Sequence, residues 1–199
     1  MRPLLVTVLI AVRTAALLMV ITGLAYPGLV TLVGQLVFPD EAAGSLVVDA
    51  HGQVIGSALI AQPFAMDAYF QPRPSGAGDG YDPMQSGSAN LGPTALRLKE
   101  RATDALVRLA AQNGGLRGRV PAELATQSAS GLDPHLSPEA ALWQVPRVAR
   151  ARHVGEDRIR TAVLVNIEPP TFGLLGEPRV NVLLLNLALD RQFGMPTRH

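Results

Sequence analysis

Thr14–Phe38 reads TAALLMVITGLAYPGLVTLVGQLVF, 25 consecutive positions without a charge. A helix rises about 1.5 Å per residue, so about 20 residues cross the hydrocarbon core of a bilayer. The stretch spans that distance with length left for tilt. A core helix this long would carry a polar face, and this one carries none. A cleaved signal peptide is the competing reading, with Arg2 as its basic start and Gly23-Leu24-Ala25 as its cleavage site. Signal cores run only about 7–15 apolar residues, and this run continues well past Ala25, which favours an uncleaved anchor.

The flanks orient the span. Arg2 and Arg13 precede it, while Asp40 and Glu41 follow. The positive-inside rule then places the N-terminus in the cytoplasm and the rest of the chain outside. The expected organisation is a short cytoplasmic segment 1–13, a membrane helix 14–38 and one domain 39–199. Pro27 removes a backbone donor inside the span and predicts a kink. Ala16, Gly23, Gly28, Thr31 and Gly34 add small side chains that allow a second helix to approach closely.

Composition agrees with an anchored domain. Of 199 residues, 48% are hydrophobic and only 17% charged, and the formal net charge is +1. That balance supplies no basic field to recruit nucleic acid. The absence of cysteine excludes a disulfide scaffold, a thiolate metal site and a cysteine nucleophile.

The expected fold class of the exported part is α+β. Ser45–Asp49 and Gln53–Gly56 predict a β-hairpin around Ala50-His51-Gly52, and Tyr69-Phe70 a short strand. Gln71–Gly92, rich in Gly, Pro, Ser, Asn and Asp, is too long for a passive connector and reads as a binding loop or as disorder. Pro93–Asn113 predicts a helix stopped by Gly114-Gly115. Ser137 caps the next, which Pro146 should break, leaving Arg147–His153 as a separate short helix. Gly155–Ile167 reads as helical. In the apolar Val180–Phe193, Asn181 caps a helix closed by Arg191 and Gly194, with a strand at Val180–Val182 as the alternative.

Three constellations invite a chemical reading. Ser128, Ser130, Asp133 and His135 bring together the residue types of a hydrolase triad, but within eight positions and without a Gly-x-Ser-x-Gly elbow. A capped turn is the preferred reading. Gly76, Gly78, Gly80 and Gly87 lack the Gly-Lys-Ser/Thr of a phosphate loop, as does Gly173-Leu174-Leu175-Gly176; the one lysine is Lys99. The four histidines, 51, 135, 153 and 199, have no metal-ligand spacing. Arg147, Arg150, Arg152, Arg158 and Arg160 read as a solvated helix face, with an acidic partner or lipid phosphates as the alternative.

Several stretches together resemble a known family. They are Gly23-Leu24-Ala25-Tyr26-Pro27, Gly56-Ser57-x-Leu59-Ile60-x-Gln62-x-Phe64, Tyr69-Phe70-x-x-Arg73-Pro74-Ser75 and Ser88-x-Asn90-Leu91-Gly92-Pro93. Further along come Ser128-Ala129-Ser130-Gly131-Leu132-Asp133-Pro134-His135, Gln144-Val145-Pro146-Arg147-Val148-Ala149 and Gly176-Glu177-Pro178-Arg179-Val180-Asn181. In this order they resemble the C subunit of the bacterial Kdp potassium-transporting P-type ATPase.

The resemblance implies a non-catalytic accessory subunit of the inner membrane, single-pass, with a periplasmic domain. Implied partners are a channel-like potassium-binding subunit, an ATP-hydrolysing subunit and a small single-helix subunit. The family is described as a catalytic chaperone that raises the ATP affinity of the hydrolysing subunit. No tightly bound cofactor is implied; ATP would be met only transiently, with that subunit. A domain outside the membrane cannot touch cytoplasmic ATP, so such an effect must pass through membrane helices as a coupling free energy. On this reading Gly23, Tyr26, Pro27 and Thr31 are candidates for packing on partner helices. Arg73, Asn90, Asp133, His135, Gln144 and Arg147 are candidates for contacts by the domain. A membrane-anchored hydrolase using Ser128 or Ser130 with His135, and a free-standing binding module, are the competing functions.

Overall fold

A computed structural model of the chain describes residues 2–49, 52–115 and 118–196. Ala50 and His51 of the expected turn, and His199, lie outside them. The chain divides into two compact units, Met1–Leu46 and Val47–His199.

The first unit is dominated by one helix. α1 (Arg2–Val20) passes through a π turn (Ile21–Ala25) into α2 (Tyr26–Val37). Pro3–Val37 is long and apolar enough to cross a membrane, and its most apolar stretch buries nothing against the protein. At about 1.5 Å per residue it is roughly 50 Å long, and it starts upstream of the expected span, carrying Arg13 within it. Pro27 cannot donate to the carbonyl four residues back, and the chain widens just ahead of it. The Tyr26 N–H donates to the Ile21 carbonyl, five residues back. The Thr7 and Thr22 hydroxyls donate to the Pro3 and Leu18 carbonyls, at 3.0 and 2.7 Å. Both hydroxyls are thus satisfied within the helix, as an apolar solvent requires. A four-residue helix, α3 (Pro39–Ala42), follows.

The hairpin forms as expected, from β1 (Leu46–Val48) and β2 (Val54–Ser57). α4 starts at Leu96 rather than Pro93, which lies in the turn before it, and ends at Asn113 with Gly114 left-handed at φ +69°. A second sheet has three short antiparallel strands in the order β3 (His135–Leu136), β5 (Arg179–Asn181), β4 (Ile167–Glu168). In its register Val180 faces both Leu136 and Ile167. α5 (Pro138–Arg152), α6 (Glu156–Val165) and α7 (Val182–Phe193) supply most of the core, with Val145, Val148, Ile159, Val163, Leu185 and Leu189 fully buried around Phe70.

Three expectations are corrected, and one left between alternatives is narrowed. Pro146 does not break α5, which runs unbroken from Pro138 to Arg152. An internal proline costs about 3 kcal/mol. Val145 and Val148, both fully buried, offset this at about 1.5–3 kcal/mol each. Tyr69-Phe70 belongs to no strand: Tyr69 closes a turn, its N–H donating to the Met66 carbonyl at 3.1 Å, and the Phe70 N–H meets a side chain rather than a neighbouring strand. The helix expected over Gly155–Ile167 stops at Val165, and Ile167 enters β4. Of the two readings of the loop Gln71–Gly92, disorder does not hold, since Ala77 is fully buried within it.

Both readings of the C-terminal stretch hold, since β5 leads directly into α7. Asn181 joins them. Its Oδ1 accepts from the Leu184 N–H at 3.2 Å, and its Nδ2 donates to the Ala58 carbonyl at 2.8 Å. Asn181→Ala removes the cap and the cross-link together, at about 1–2 kcal/mol for the cap and about 1 for the second bond. Urea unfolding of the detergent-solubilised chain should show a loss of about 2–3 kcal/mol.

Candidate functional site

Two polar clusters organise the domain. The first joins the long loop to the turn before β3. Arg73 Nη1 lies 3.3 Å from Asp133 Oδ2, and its Nη2 donates to the Gln127 carbonyl at 3.2 Å. Asp133 Oδ1 accepts from the His135 N–H at 3.0 Å and lies 3.5 Å from the same residue's Nδ1. The hydrogen bond from the His135 side chain holds the Asp133 carboxyl below the usual carboxylate range against the opposing effect of burial; the His135 N–H and Arg73 assist.

Next to this pair the two loops are fastened together. Ser75 Oγ donates to the Gly131 carbonyl at 2.7 Å and accepts from the Tyr81 N–H at 2.7 Å. The Gly87 N–H and the Ser86 hydroxyl both donate to the Ser130 carbonyl, at 2.8 and 3.0 Å. Gly131 sits at φ +71°, and a Cβ there would lie 2.6 Å from both Ala77 N and the Gly87 carbonyl oxygen. The Ser130 hydroxyl accepts from the Leu132 N–H at 3.1 Å, within its own turn. Asp133 likewise bonds the backbone two residues on. This is the geometry of a capped turn, the reading preferred from sequence over a triad.

The second cluster surrounds residues 67–71. Gln144 and Asn186 treat this segment as a neighbouring strand would. Gln144 Oε1 accepts from the Gln71 N–H at 2.9 Å, and its Nε2 donates to the Gln71 carbonyl at 3.0 Å. Asn186 makes the same pair of bonds to Phe70, at 2.8 and 3.0 Å. Arg147 donates to the Asp67 and Tyr69 carbonyls and to Gln144 Oε1. Arg152 donates to the Ala68 carbonyl at 2.7 Å and pairs with Asp190 at 2.8 Å; the Tyr69 hydroxyl donates to the same carboxylate at 2.9 Å. Burial lowers the Arg147 guanidinium to about 10, with Asp67 opposing, so it stays charged at neutral pH.

The structure therefore separates the sequence-predicted residues. Arg73, Asp133 and His135 come together, half-buried. Gln144 and Arg147, expected as partner contacts, are interior at 1% and 3% exposure, because their polar atoms serve the backbone of 67–71. The expected solvated arginine face is corrected in part: Arg147 and Arg152 point inward, whereas Arg150, Arg158 and Arg160 are exposed. Asn90, left-handed at φ +49°, lines a small pocket with Leu98, Arg101 and Gln127, whose carbonyl accepts from Arg73. Gly23, within the π turn, and Tyr26, Pro27 and Thr31, on α2, are all exposed. Asn186 is not among the sequence-predicted site residues, and Arg152 enters there only as part of the basic run. The signal for Asn186 is a lone amide in the apolar run Val182–Leu189, since such a group is buried only with partners. Between the long loop and α4 lies an open cleft of about 680 Å³, lined in part by Tyr81, Arg101, Asp104 and Arg108. Burial pushes the Tyr81 hydroxyl up to about 12, with Arg108 opposing.

A family model described as "K+-transporting ATPase, c chain" matches residues 8–191. A protein of Myxococcus xanthus named "Potassium-transporting ATPase KdpC subunit" is 61% identical over 188 residues, covering 94% of this chain and 89% of its own. Proteins of the same name from Gemmatimonas aurantiaca and Rhodospirillum rubrum are 52% and 50% identical, each over 90% of this chain and 89% and 93% of their own.

The two clusters respond differently to perturbation. Asn186→Leu leaves the buried N–H and carbonyl of Phe70 without partners, at about 1–3 kcal/mol each, and should lower the unfolding free energy by several kcal/mol in urea titration. Asp133 acts through pH. Its carboxyl is lower in the folded state, so its stabilisation is present above the unfolded value near 4 and is lost as pH falls through the folded value. Wild-type chain should lose thermal stability below about pH 4 more steeply than Asp133→Asn, as read by melting temperature against pH.

Proposed function

This chain belongs to the KdpC family, the c chain of the K+-transporting ATPase, and on that footing we propose that it is the complex's non-catalytic accessory subunit. The Pro3–Val37 helix crosses the bacterial inner membrane once, with the N-terminus in the cytoplasm and the domain in the periplasm. Arg2 and Arg13 before the most apolar stretch, and Asp40 and Glu41 after it, support that orientation. Its partners are a channel-like potassium-binding subunit, the ATP-hydrolysing subunit and a small single-helix subunit.

One observation carries the accessory reading. Most of the polar side chains brought together in the two clusters are engaged with the domain's own backbone. Gln144, Arg147, Arg152 and Asn186 hold residues 67–71, and Ser75, Ser130 and Asp133 hold the loop and turn together. Any effect on ATP affinity then travels through the membrane helix as a coupling free energy, with ATP bound only by the hydrolysing subunit. Gly23, Pro27 and Thr31 offer small surfaces on that helix to a partner helix.

Tagged chain, co-expressed with the other subunits and isolated in mild detergent, should bring down two larger membrane proteins together with potassium-stimulated ATP hydrolysis. Gly23→Leu should reduce their recovery severalfold, and His135→Ala should leave the hydrolysis chemistry intact. A lone chain recovered from cells expressing every subunit would overturn the reading, as would esterase or peptidase activity of the isolated chain lost in His135→Ala.

A further inference from the structure

The connection between β4 and β5 is short, ordered and apolar at its tip. Phe172 and Leu174 are 90% and 87% exposed, and Leu175 is 62% exposed. From Pro169 to Gly176 there is no charged residue. The tip is nonetheless tightly built. Thr171 and Leu175 exchange both backbone bonds at 2.9 Å, and the Gly173 N–H donates to the Pro170 carbonyl at 2.9 Å. Phe172 itself is left-handed at φ +56°, a conformation that an aromatic residue rarely adopts. A strained backbone that holds three large apolar side chains in water is a feature that folding alone does not favour.

We infer that Phe172, Leu174 and Leu175 form a preorganised anchor that inserts into an uncharged socket on another subunit of the same complex. The inference rests on the accessory-subunit reading above. Rigid presentation suits a shaped protein surface, because little freedom is lost on docking. A fluid lipid surface demands no such shape, and the local charge opposes it. Exposed Glu177 follows the tip and Glu168 precedes it, while Arg179 is engaged with Glu168 at 3.1 Å. No Lys or Arg lies between Pro169 and Pro178 to meet anionic headgroups. A second copy fits no better. Tip-to-tip contact would bring the two Glu177 side chains close, and three side chains fall short of the roughly 800 Å² per partner of a stable dimer. Patches of this size work as hot spots within a larger interface.

The test uses the full chain in the co-expressed complex. A photoreactive benzophenone amino acid replaces Phe172, and the double variant Phe172→Ser/Leu174→Ser is made separately. The expected crosslink is to another subunit, identified by mass. The double variant should reduce the fraction of complex surviving dilution in detergent at least about tenfold, with the melting temperature of the purified chain unchanged. Crosslinks only to lipid or to a second copy would overturn the inference, as would undiminished survival of the double variant's complex. Wild-type chain that purifies free of the other subunits would instead overturn the accessory-subunit reading itself.

Discussion

Phe70 carries its backbone into the dry interior where no strand meets it, and its N–H and carbonyl must still be bonded. Asn186 answers with one acceptor and one donor, in the arrangement of a peptide group. Gln144 does the same for Gln71. Arg147 and Arg152 cover the carbonyls of residues 67–69. Side chains from two helices thus replace one strand, and each helix is locked in rotation and register by the peptide groups it serves. The Phe70 ring, fully buried, fills the space that this arrangement encloses. A small three-stranded sheet then suffices, because much of the pairing that a sheet provides is done by amides and guanidinium groups.

The helix Pro3–Val37 follows another rule. Its apolar side chains are exposed throughout, and its internal polarity is closed off locally. Two threonine hydroxyls bond carbonyls four residues back, and a π turn lies immediately ahead of Pro27. The domain satisfies its polar groups over long sequence distances, whereas the helix satisfies them within one turn. Each pattern is what its solvent demands: water and a packed core in one case, hydrocarbon in the other.

Features set by local chemistry were legible in the sequence. An uncharged run announced the helix by length alone. Ser137, Asn181 and Gly114 marked helix ends through side chains or conformations that act within three residues. The family was legible because its motifs follow one another along the chain. Pro146 misled because its local penalty is outweighed by burial that depends on the whole core. Gln144 and Arg147 read as contacts to a partner because their own partners lie 73 and 78 positions away. The Tyr69–Asp190 bond spans 121 positions. No window of sequence contains such pairs. The strand expected at Tyr69-Phe70 does not form, because that backbone follows a turn and finds its partners in side chains far along the chain.

Gly131 has a consequence for how this surface can vary. With no room for one added carbon between Ala77 and Gly87, the long loop and the turn form a single fitted joint. Surface loops ordinarily drift in length, because an extra residue bulges harmlessly into water. Here Ala77 and Gly87 are held against Gly131, so length can vary only in the exposed excursion between them. At those two points the loop is constrained as tightly as a core residue, and a bulkier residue on one side of the joint fits only if the other gives way.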